Sequence, residues 1–429
     1  MSVGILFASF LAFLFCGVPV AYCLGISSLL YFLLENMPLV TFAQRFFSGL
    51  DSFTLLCIPG FMLAGNLMNT GGITYQIVRF CDKCIGHIRG GLGLANIGAS
   101  MIFAGVSGTA AADAASLGGI LIPAMMEDGY DADYSVAVTA ASSCVGPIIP
   151  PSVPMIMAGT LTGISVSKMF VAGIVPGILM GLGMMAVAWV ISVKRNYPKN
   201  EKRATWREIM SSGREAFWAL LMMFIILAGI LTGIVTPTEA SIIAVLYALL
   251  VGFFIYRELT FRSALTVIRD SMVSAAGIMV LVGFANVFAY VLTKEQIPTM
   301  IANGILSFTQ NKFLILLIIN IFLLFVGCFM ETIAALTILF PVLLPIVTSP
   351  SIGVSPVQFG VMCVLNLVIG LTTPPVGVCL FITSSIGKIS IARATRAVMP
   401  FLICNLIVLM LVTYCPPVTT WLVGLLYGM

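Results

Sequence analysis

Two acidic residues stand in apolar surroundings at matching places in the two halves of the sequence. Asp113 follows Ser107-Gly108-Thr109 inside one apolar segment, and Glu331 lies 218 positions further along in another. A carboxylate inside an apolar, membrane-spanning stretch is costly and by default marks a functional site. These acids could balance bound cations, or they could cap the helices that follow the turns. A protonated or capped acid with only a structural role is the alternative.

A proline-containing interruption follows each acid. One lies at Pro147 through Ser152, and the other at Gly370 through Gly377. Each interruption frees backbone carbonyl and amide groups from helical hydrogen bonds. Hydrocarbon tolerates such groups only where they are buried in protein or line a wet cavity. Paired apolar segments interrupted by Gly and Pro are typical of a transporter's binding site, where freed carbonyls and hydroxyls bind Na⁺ and helix N-termini attract anions.

We therefore predict two equivalent cation sites, one at each pair of a turn and a break, and no catalytic residues. The predicted cation ligands are Ser107, Gly108, Thr109, Gly146, Pro147, Gly327, Gly370, Thr372 and Thr373. The predicted substrate contacts are Ser107, Thr109, Pro150, Ser152, Thr372 and Pro374. One alternative is that the small residues only let helices pack closely. Another is an intramembrane aspartyl protease, which the placement of the two acids in separate hairpins disfavours.

The composition places these residues in a membrane protein. Hydrophobic residues make up 60% of the chain and charged residues only 8%, whereas a soluble domain is about a quarter charged. Apolar runs reach spanning length many times, which favours an α-helical bundle over a barrel. The sequence lacks a GxxxxGK[ST] phosphate loop, so we expect no use of ATP. Cys81, Cys84 and His87 have a spacing that could bind a metal, but a plain amphipathic helix is the favoured interpretation.

An internal duplication organises the chain. Pro19 and Pro123 recur 218 positions later, and Pro176 recurs 224 positions later, after a six-residue insertion. We predict an all-α integral membrane protein, built as an inverted repeat of about ten to eleven transmembrane helices with two re-entrant hairpins and two broken helices. The predicted units are the first repeat 1–193 (scaffold 1–90, transport part 91–193), a cytoplasmic linker 194–214, and the second repeat 215–429 (scaffold 215–310, transport part 311–429).

Smaller segments are predicted within these units. The residues between Glu35 and Asp51 are expected to form a polar loop. The predicted hairpins cover 92–126 and 313–347, and the predicted broken helices cover 134–161 and 357–386. An amphipathic piece at 257–269 is expected to be separate from a span at 272–292.

The basic residues orient this arrangement in the membrane. If the linker is cytoplasmic, 16 of the 20 Lys and Arg residues lie in cytoplasmic segments. The four that fall outside are Arg45, Lys168, Lys294 and Lys312. This distribution agrees with the positive-inside rule, so both termini are predicted to lie outside the cytoplasm.

Several motifs together resemble the large (M) membrane subunit of the tripartite ATP-independent periplasmic (TRAP) transporters. They are Gly17 through Ala21, Ser107 through Asp113, Pro147 through Pro151, Thr236 through Ala240, and Gly370 through Gly377. The resemblance implies an elevator-type secondary transporter of the bacterial inner membrane that uses a Na⁺ gradient. It also implies two or more Na⁺ ions, held between each hairpin tip and the neighbouring broken helix.

The same resemblance implies partners and a substrate class. We expect a small four-helix membrane (Q) subunit as a separate chain, a periplasmic substrate-binding protein, the lipid bilayer, and no nucleic acid. The expected substrate is an organic acid anion of the sialic acid or C4-dicarboxylate class. A self-sufficient divalent-anion/Na⁺ symporter is the alternative within transport, and an anion channel is a further one.

Overall fold

The described residues form ten α-helices in each half of the chain, which make up most of the regular structure. The computed structural model describes residues 2–199, 203–309, 311–350, 352–374 and 376–428, and these ranges contain no strand. The helices of the first half are α1 (Ser2–Phe15), α2 (Val20–Leu34), α3 (Leu39–Leu50), α4 (Cys57–Thr70), α5 (Ile73–Ile85), α6 (Gly91–Ser107), α7 (Ala110–Glu127), α8 (Ala132–Ser142), α9 (Val153–Thr162) and α10 (Val166–Lys194). Those of the second half are α11 (Trp206–Leu231), α12 (Pro237–Leu250), α13 (Phe261–Lys294), α14 (Ile297–Phe308), α15 (Lys312–Gly327), α16 (Thr332–Val347), α17 (Pro356–Gly370), α18 (Val378–Ile386), α19 (Ile391–Tyr414) and α20 (Pro417–Tyr427).

The hairpins and broken helices lie where Gly and Pro predict them. Helices α6 and α7 form the first hairpin, and α15 and α16 form the second. A 3₁₀ turn (Ser143–Val145) and the prolines after it separate α8 from α9, while a non-helical stretch after Gly370 separates α17 from α18. The predicted all-α class with two hairpins and two broken helices is confirmed. The elevator movement stays a prediction.

The predicted polar loop between Glu35 and Asp51 is wrong, because its centre forms helix α3. The rings of Phe42 and Phe46 pack against Phe284 of α13, with ring centroids 6.3 and 4.8 Å apart. The polar residues of α3 lie on one side of the helix and apolar residues cover the rest. The helix is short and none of its residues is fully buried, but its polar residues recur at helical spacing.

The predicted linker 194–214 is also too long, because α11 begins inside it. Thr205 caps this helix by accepting from the Glu208 amide, and the Glu208 carboxylate accepts from the Thr205 amide. This reciprocal capping fixes the helix start eight residues before the predicted end of the linker. Residues 261–269 of one predicted piece and the span predicted at 272–292 form the single helix α13, which no proline interrupts. Helices α14 and α20 were not predicted.

Six helical segments among the described residues are long and apolar enough to cross a membrane. They are Phe53–Thr70, Val166–Lys194, Trp206–Leu231, Pro237–Ile255, Phe261–Lys294 and Ile391–Tyr414. Shorter apolar helices include both arms of the second hairpin and pieces of both broken helices. The chain is thus a multi-pass membrane protein.

Helices from the two halves pack together in two groups. In one group α13 contacts α2, α3 and α4, and α12 contacts α4. In the other, α7 contacts α18, α9 contacts α16, and α8 contacts α19. Each hairpin therefore lies against a piece of the other half's broken helix. The division of each repeat into a scaffold and a transport part stays a prediction.

Candidate ion and substrate site

The first hairpin turns at Gly108, against the restart of the first broken helix. Gly108 has a left-handed backbone with φ +64°. The position that a Cβ would take there lies 3.2 Å from the Val153 Cγ2 atom and 3.5 Å from the Pro151 carbonyl oxygen. Glycine is therefore needed both for the turn and for this close approach. Ser107 ends α6, but its side chain lies outside the described residues.

Asp113 lies against the other end of the same break. Its side chain, in the first turn of α7, is fully buried. Its Oδ2 atom occupies the space beside Gly146 that a side chain there would fill. A carboxylate at the end of an interrupted helix can balance a cation bound to the carbonyls freed there. Thr109 precedes α7 in an extended conformation and does not cap it with its side chain.

At its tip, the second hairpin meets its broken helix through backbone atoms. A Cβ on Gly327 would lie 3.0 Å from the Leu367 carbonyl oxygen, and a Cβ on Gly370 would lie 2.6 Å from the Gly327 Cα. The Gly377 amide also donates to the Cys328 carbonyl at 3.5 Å. The structure therefore brings together the tip and the break that the sequence predicted for the second site.

Glu331 has a different position from Asp113. It is the N-cap of α16, where Oε2 accepts from the amides of Ile333 at 2.8 Å and Ala334 at 3.2 Å. Its side chain retains surface exposure, whereas Asp113 has none. Of the two roles considered from the sequence, helix capping is therefore present at Glu331.

The two threonines of the second break keep oxygen lone pairs available. The hydroxyls of Thr372 and Thr373 each donate to the Ile369 carbonyl at 2.9 Å. Thr372 is buried and Thr373 is partly exposed. The Cys144 thiol lies 3.9 Å from the Thr372 hydroxyl and 3.4 Å from the Val368 carbonyl. The two broken helices therefore approach each other at their interruptions.

Other predicted substrate contacts differ in accessibility. Ser152 is fully buried and caps α9 by accepting from the Met155 amide at 3.2 Å. Its hydroxyl also donates to the Pro147 carbonyl. Pro150 is buried, while Pro374 is partly exposed. The Ser152 hydroxyl thus already has two partners in the protein, and the assignment of substrate contacts to these residues stays a prediction.

Two buried asparagines, Asn96 in the first half and Asn320 in the second, hold the hairpins to their broken helices, and neither was predicted from the sequence. Asn96 of α6 donates to Thr139 of α8 at 2.7 Å, and Ser142 donates to Asn96 Oδ1 at 3.4 Å. In the second half Asn366 donates to Asn320 Oδ1 at 2.7 Å. Asn320 and Asn366 lie 224 positions after Asn96 and Ser142, so this offset in the sequence could have revealed them. Buried contacts of this kind fix the register of the packed helices.

A second contact repeats at the same offset. The Tyr134 hydroxyl donates to the Ala188 carbonyl at 3.4 Å. In the second half, the Gln358 amide donates to the Val412 carbonyl at 3.1 Å. Each contact ties the start of a broken helix to the last long helix of its own repeat. The duplication found in the sequence is therefore present in the tertiary contacts as well.

Oxygen atoms and helix ends are the groups in this region that could bind a cation or an anion. In the described part of the chain, no three His, Cys, Asp or Glu side chains gather as metal ligands. Cys81 is buried on α5, and Cys84 is half-buried. Helices α7 and α9 start beside each other, and α18 starts beside the second tip. Their N-terminal dipoles favour an anion nearby, whereas the carbonyls that end α8 and α17 favour a hard cation.

A charged cluster outside the membrane-spanning segments holds the linker to the turn after the first hairpin. Arg195 pairs with Asp131 at 3.1 Å and with Asp133 at 3.0 Å. The Tyr197 hydroxyl donates to Asp131 at 2.8 Å. This hydrogen bond, with the charge of Arg195, lowers the pKa of Asp131 below its ordinary value.

An all-α membrane protein whose two halves each pair a hairpin with an interrupted helix has an architecture typical of secondary transporters. The chain belongs to the DctM component family of the tripartite ATP-independent periplasmic transporters, whose family model matches residues 7–418. The expected family is confirmed. Since its members are transporter permeases, the role of the chain is transport.

Characterised relatives share almost the whole chain. It is 40% identical to the sialic acid TRAP transporter large permease protein SiaM of Vibrio cholerae, over 99% of both proteins. It is 38% identical to the C4-dicarboxylate TRAP transporter large permease protein DctM of Pseudomonas aeruginosa, over 92% of both. The sialic acid TRAP transporter permease protein SiaT of Haemophilus influenzae is 38% identical over 99% of this chain and 69% of its own length.

A solved structure shares the fold. The YdaH transporter of Alcanivorax borkumensis has a TM-score of 0.62 against this chain, covering 87% of it and 86% of the YdaH chain. The two sequences are only 16% identical. The likeness therefore supports the helical architecture and nothing about the transported substrate.

Proposed function

We propose that the chain is the large membrane subunit of a Na⁺-driven tripartite transporter that imports an organic acid anion across the bacterial inner membrane. A periplasmic binding protein delivers the anion, and a small four-helix Q subunit completes the membrane part. The hairpins and broken helices move together against the remaining helices, as in an elevator.

The meeting of each hairpin tip with its own helix break supports this proposal. Gly108 lies against Pro151 and Val153, and Gly327 lies against Gly370. At both places backbone carbonyls that end a helix lie beside a turn in protein-buried surroundings. Such groups suit Na⁺, which prefers oxygen ligands, and the neighbouring helix N-termini suit the carboxylate of the substrate.

The named substrates of the relatives support the substrate class. SiaM and SiaT are named for sialic acid, and the DctM proteins for C4-dicarboxylates. Both substrates are organic acid anions. The chain matches both groups at nearly the same identity, so its substrate belongs to this wider class.

The relatives' lengths support the partnership. The chain spans 69% of SiaT and 66% of the isethionate permease DctMQ of Oleidesulfovibrio alaskensis, but 99% of SiaM. The longer relatives have room for a fused small subunit, and the name DctMQ combines the two. We propose the small subunit as a separate partner of this chain.

Reconstitution in liposomes tests the proposal. The chain is assayed with its Q subunit and binding protein, under an inward Na⁺ gradient, with sialic acid and succinate as probes. We expect uphill uptake of one probe only when all three proteins and the Na⁺ gradient are present. Uptake by the lone chain would indicate a self-sufficient symporter. Uptake that never exceeds equilibrium, with or without Na⁺, would indicate a channel and contradict the proposal.

A further inference from the structure

A side-chain hydrogen bond joins the two groups of packed helices. The first group contains α2, α3, α4, α12 and α13, and the second contains α7, α8, α9, α16, α18 and α19. Asn69 lies in the last turn of α4, and Ser116 lies in the second turn of α7. The Asn69 amide donates to the Ser116 hydroxyl at 2.9 Å. This bond therefore crosses from the first group to the second.

A third residue fixes the orientation of the Asn69 amide. The chain turns between α4 and α5 at Gly72, whose backbone is left-handed with φ +77°. This turn brings Thr74, the second residue of α5, back to the end of α4, where its hydroxyl donates to Asn69 Oδ1 at 3.0 Å. Because Thr74 holds Oδ1, the Nδ2 atom stays directed at α7. The amide is therefore placed to bind Ser116 again after the two side chains have separated.

A similar bond inside the first group differs in burial. The Asn66 amide, also on α4, donates to the Ser271 hydroxyl of α13 at 2.9 Å. Ser271 is fully buried, so separating it from Asn66 would leave a hydroxyl without a partner in the protein interior, which is costly. Asn69 and Ser116 are each half-buried, and Asn69 lies beside the predicted cytoplasmic helix α5, so water can reach both when they separate. The bond of Ser271 suits permanent packing, and that of Ser116 suits repeated breaking.

We infer that Asn69 and Ser116 form a latch, which holds the second group in one position against the first and breaks in each transport cycle. The latch depends on the proposed function, in which the hairpins and broken helices move against the remaining helices. A hydrogen bond spans only about 3 Å, so a displacement of α7 by one helical turn, about 5.4 Å, separates the two side chains. Ser116 lies three residues after Asp113, so the latch acts on the helix that brings a carboxylate to the first junction.

Reversible crosslinking of the full transporter in liposomes tests the latch. The variant N69C/S116C and its matched control N66C/S271C are treated with a short bis-methanethiosulfonate reagent, whose mixed disulfides a reductant cleaves. Mass spectrometry of peptides measures the crosslinked fraction, and the treated wild type accounts for the native cysteines. Uptake by N69C/S116C should fall in proportion to its crosslinked fraction and recover with the reductant. Crosslinked N66C/S271C should keep the uptake of the untreated variant, because both of its cysteines lie in one group.

Transport should in turn slow the crosslinking of the latch. With substrate and an inward Na⁺ gradient, N69C/S116C should crosslink more slowly than without substrate, while N66C/S271C should crosslink at the same rate in both conditions. Complete crosslinking of N69C/S116C with unchanged uptake would overturn the latch. An equal loss of uptake in the crosslinked control would also overturn it. If uptake by the untreated wild type proves independent of Na⁺, the proposed function fails, and the effect of crosslinking on uptake still decides the latch.

Single serine variants decide the question if the cysteine pairs do not fold. Ser116→Ala removes a bond that stabilises one position of the second group, so it should change the rate of uptake about two- to tenfold. Ser271→Ala removes a bond of the same length inside the first group. It should lower the melting temperature and leave the uptake rate per folded protein unchanged. If the two variants change the uptake rate equally, the bond between α4 and α7 is not a latch.

Discussion

The tips of the two hairpins extend to different lengths, although a buried asparagine holds each hairpin to its broken helix. In the first hairpin α6 continues eleven residues beyond Asn96, while in the second α15 continues seven residues beyond Asn320. The returning arms differ equally, because Pro123 lies thirteen residues after the start of α7 and Pro341 nine after the start of α16. At 1.5 Å per residue, the first tip extends about 6 Å further, which is roughly one helical turn.

This extra turn changes what each tip contacts. Gly146 and Gly370 end the first pieces of the two broken helices at equivalent positions, 224 residues apart. The first tip passes this point and reaches Pro151, so that the carboxylate of Asp113 lies beside Gly146. The second tip stops there, so that the backbone of Gly327 lies against Gly370.

The two junctions therefore offer different ligands to a cation. The first combines freed carbonyls with a buried carboxylate, and the second combines carbonyls with the hydroxyls of Thr372 and Thr373. The acid of the second half, Glu331, is engaged in capping α16. Matching sequence positions thus have unequal geometry, and the two sites expected to be equivalent differ in charge.

The largest expected loss of uptake comes from adding a methyl group at the glycines that end the first pieces of the two broken helices. Gly370→Ala places a Cβ against the Gly327 backbone, which cannot move without displacing the second tip. Overpacking of this kind costs up to about 3 kcal/mol, so uptake in liposomes should fall about a hundredfold. Gly146→Ala meets the end of the Asp113 side chain, with the Ser143 carbonyl oxygen 3.4 Å away, and should lose about tenfold because the closest obstacle is a side-chain end and not backbone.

A third glycine supplies the control for these two variants. Gly119 lies on α7 with nothing within 4 Å of its Cβ position, so Gly119→Ala should transport as the wild type does. If Gly370→Ala and Gly119→Ala transport equally well, the contact between the second tip and its break is not needed for function.

Neutralising Asp113 should change the Na⁺ dependence of uptake more than neutralising Glu331. Asp113→Asn removes a fully buried charge beside the first break and should raise the Na⁺ concentration for half-maximal uptake about tenfold to a hundredfold. Glu331→Gln keeps a side-chain oxygen that can accept from Ile333 and Ala334. Its Na⁺ dependence should therefore change by less than about threefold. If the half-saturating Na⁺ concentration shifts equally in the two variants, at matched expression, the proposed difference in charge between the two junctions is contradicted.

The smallest expected effect concerns the contacts at the starts of the two broken helices. Tyr197→Phe removes a hydrogen bond to the half-exposed Asp131 and should lower the free energy of unfolding by less than about 1 kcal/mol. Because the pKa of Asp131 is lowered from 3.8, this stabilisation is present above that value and is lost as the pH falls through the lowered pKa. Thermal unfolding should therefore show a constant difference from wild type between about pH 5 and 8, which shrinks below about pH 4.

The second half supplies the comparison for this variant. Gln358→Ala removes a neutral contact with the Val412 carbonyl, so its effect on stability should not depend on pH in this way. If the stability difference between Tyr197→Phe and the wild type stays the same at low pH, the charge of Asp131 does not contribute to stability through this hydrogen bond.

Much of the fold could be predicted because Gly and Pro mark it locally. The breaks after Gly146 and Gly370 and the turn at Gly108 follow from residues that cannot continue a helix. Helix α3 is indicated by spacing instead, since its polar residues Thr41, Gln44, Arg45 and Ser48 recur at the helical interval, a signal that a count of polar residues misses.

The unequal lengths of the two hairpins could not be predicted from the sequence. The offset of 218 matches the two acids but does not show where the helices end. Asp113 and Glu331 match at an offset of 218, as do Pro123 and Pro341, whereas Asn96 and Asn320 match at 224. The six-residue difference is divided between the two arms and the turn, and only the structure shows where each helix ends. The contacts of each tip with its break depend on those ends.

The Na⁺ dependence of uptake in hydroxyl variants tests most directly whether cations bind at the junctions of tips and breaks. The full transporter is assayed in liposomes with Ser107→Ala, Thr109→Val, Thr373→Val and, as the matched control, Thr373→Ser. A cation ligand acts through its oxygen, so Thr373→Ser should behave as the wild type does. The other three should raise the half-saturating Na⁺ concentration about tenfold to a hundredfold. If all three keep the wild-type value, these residues only pack helices and the cations bind elsewhere.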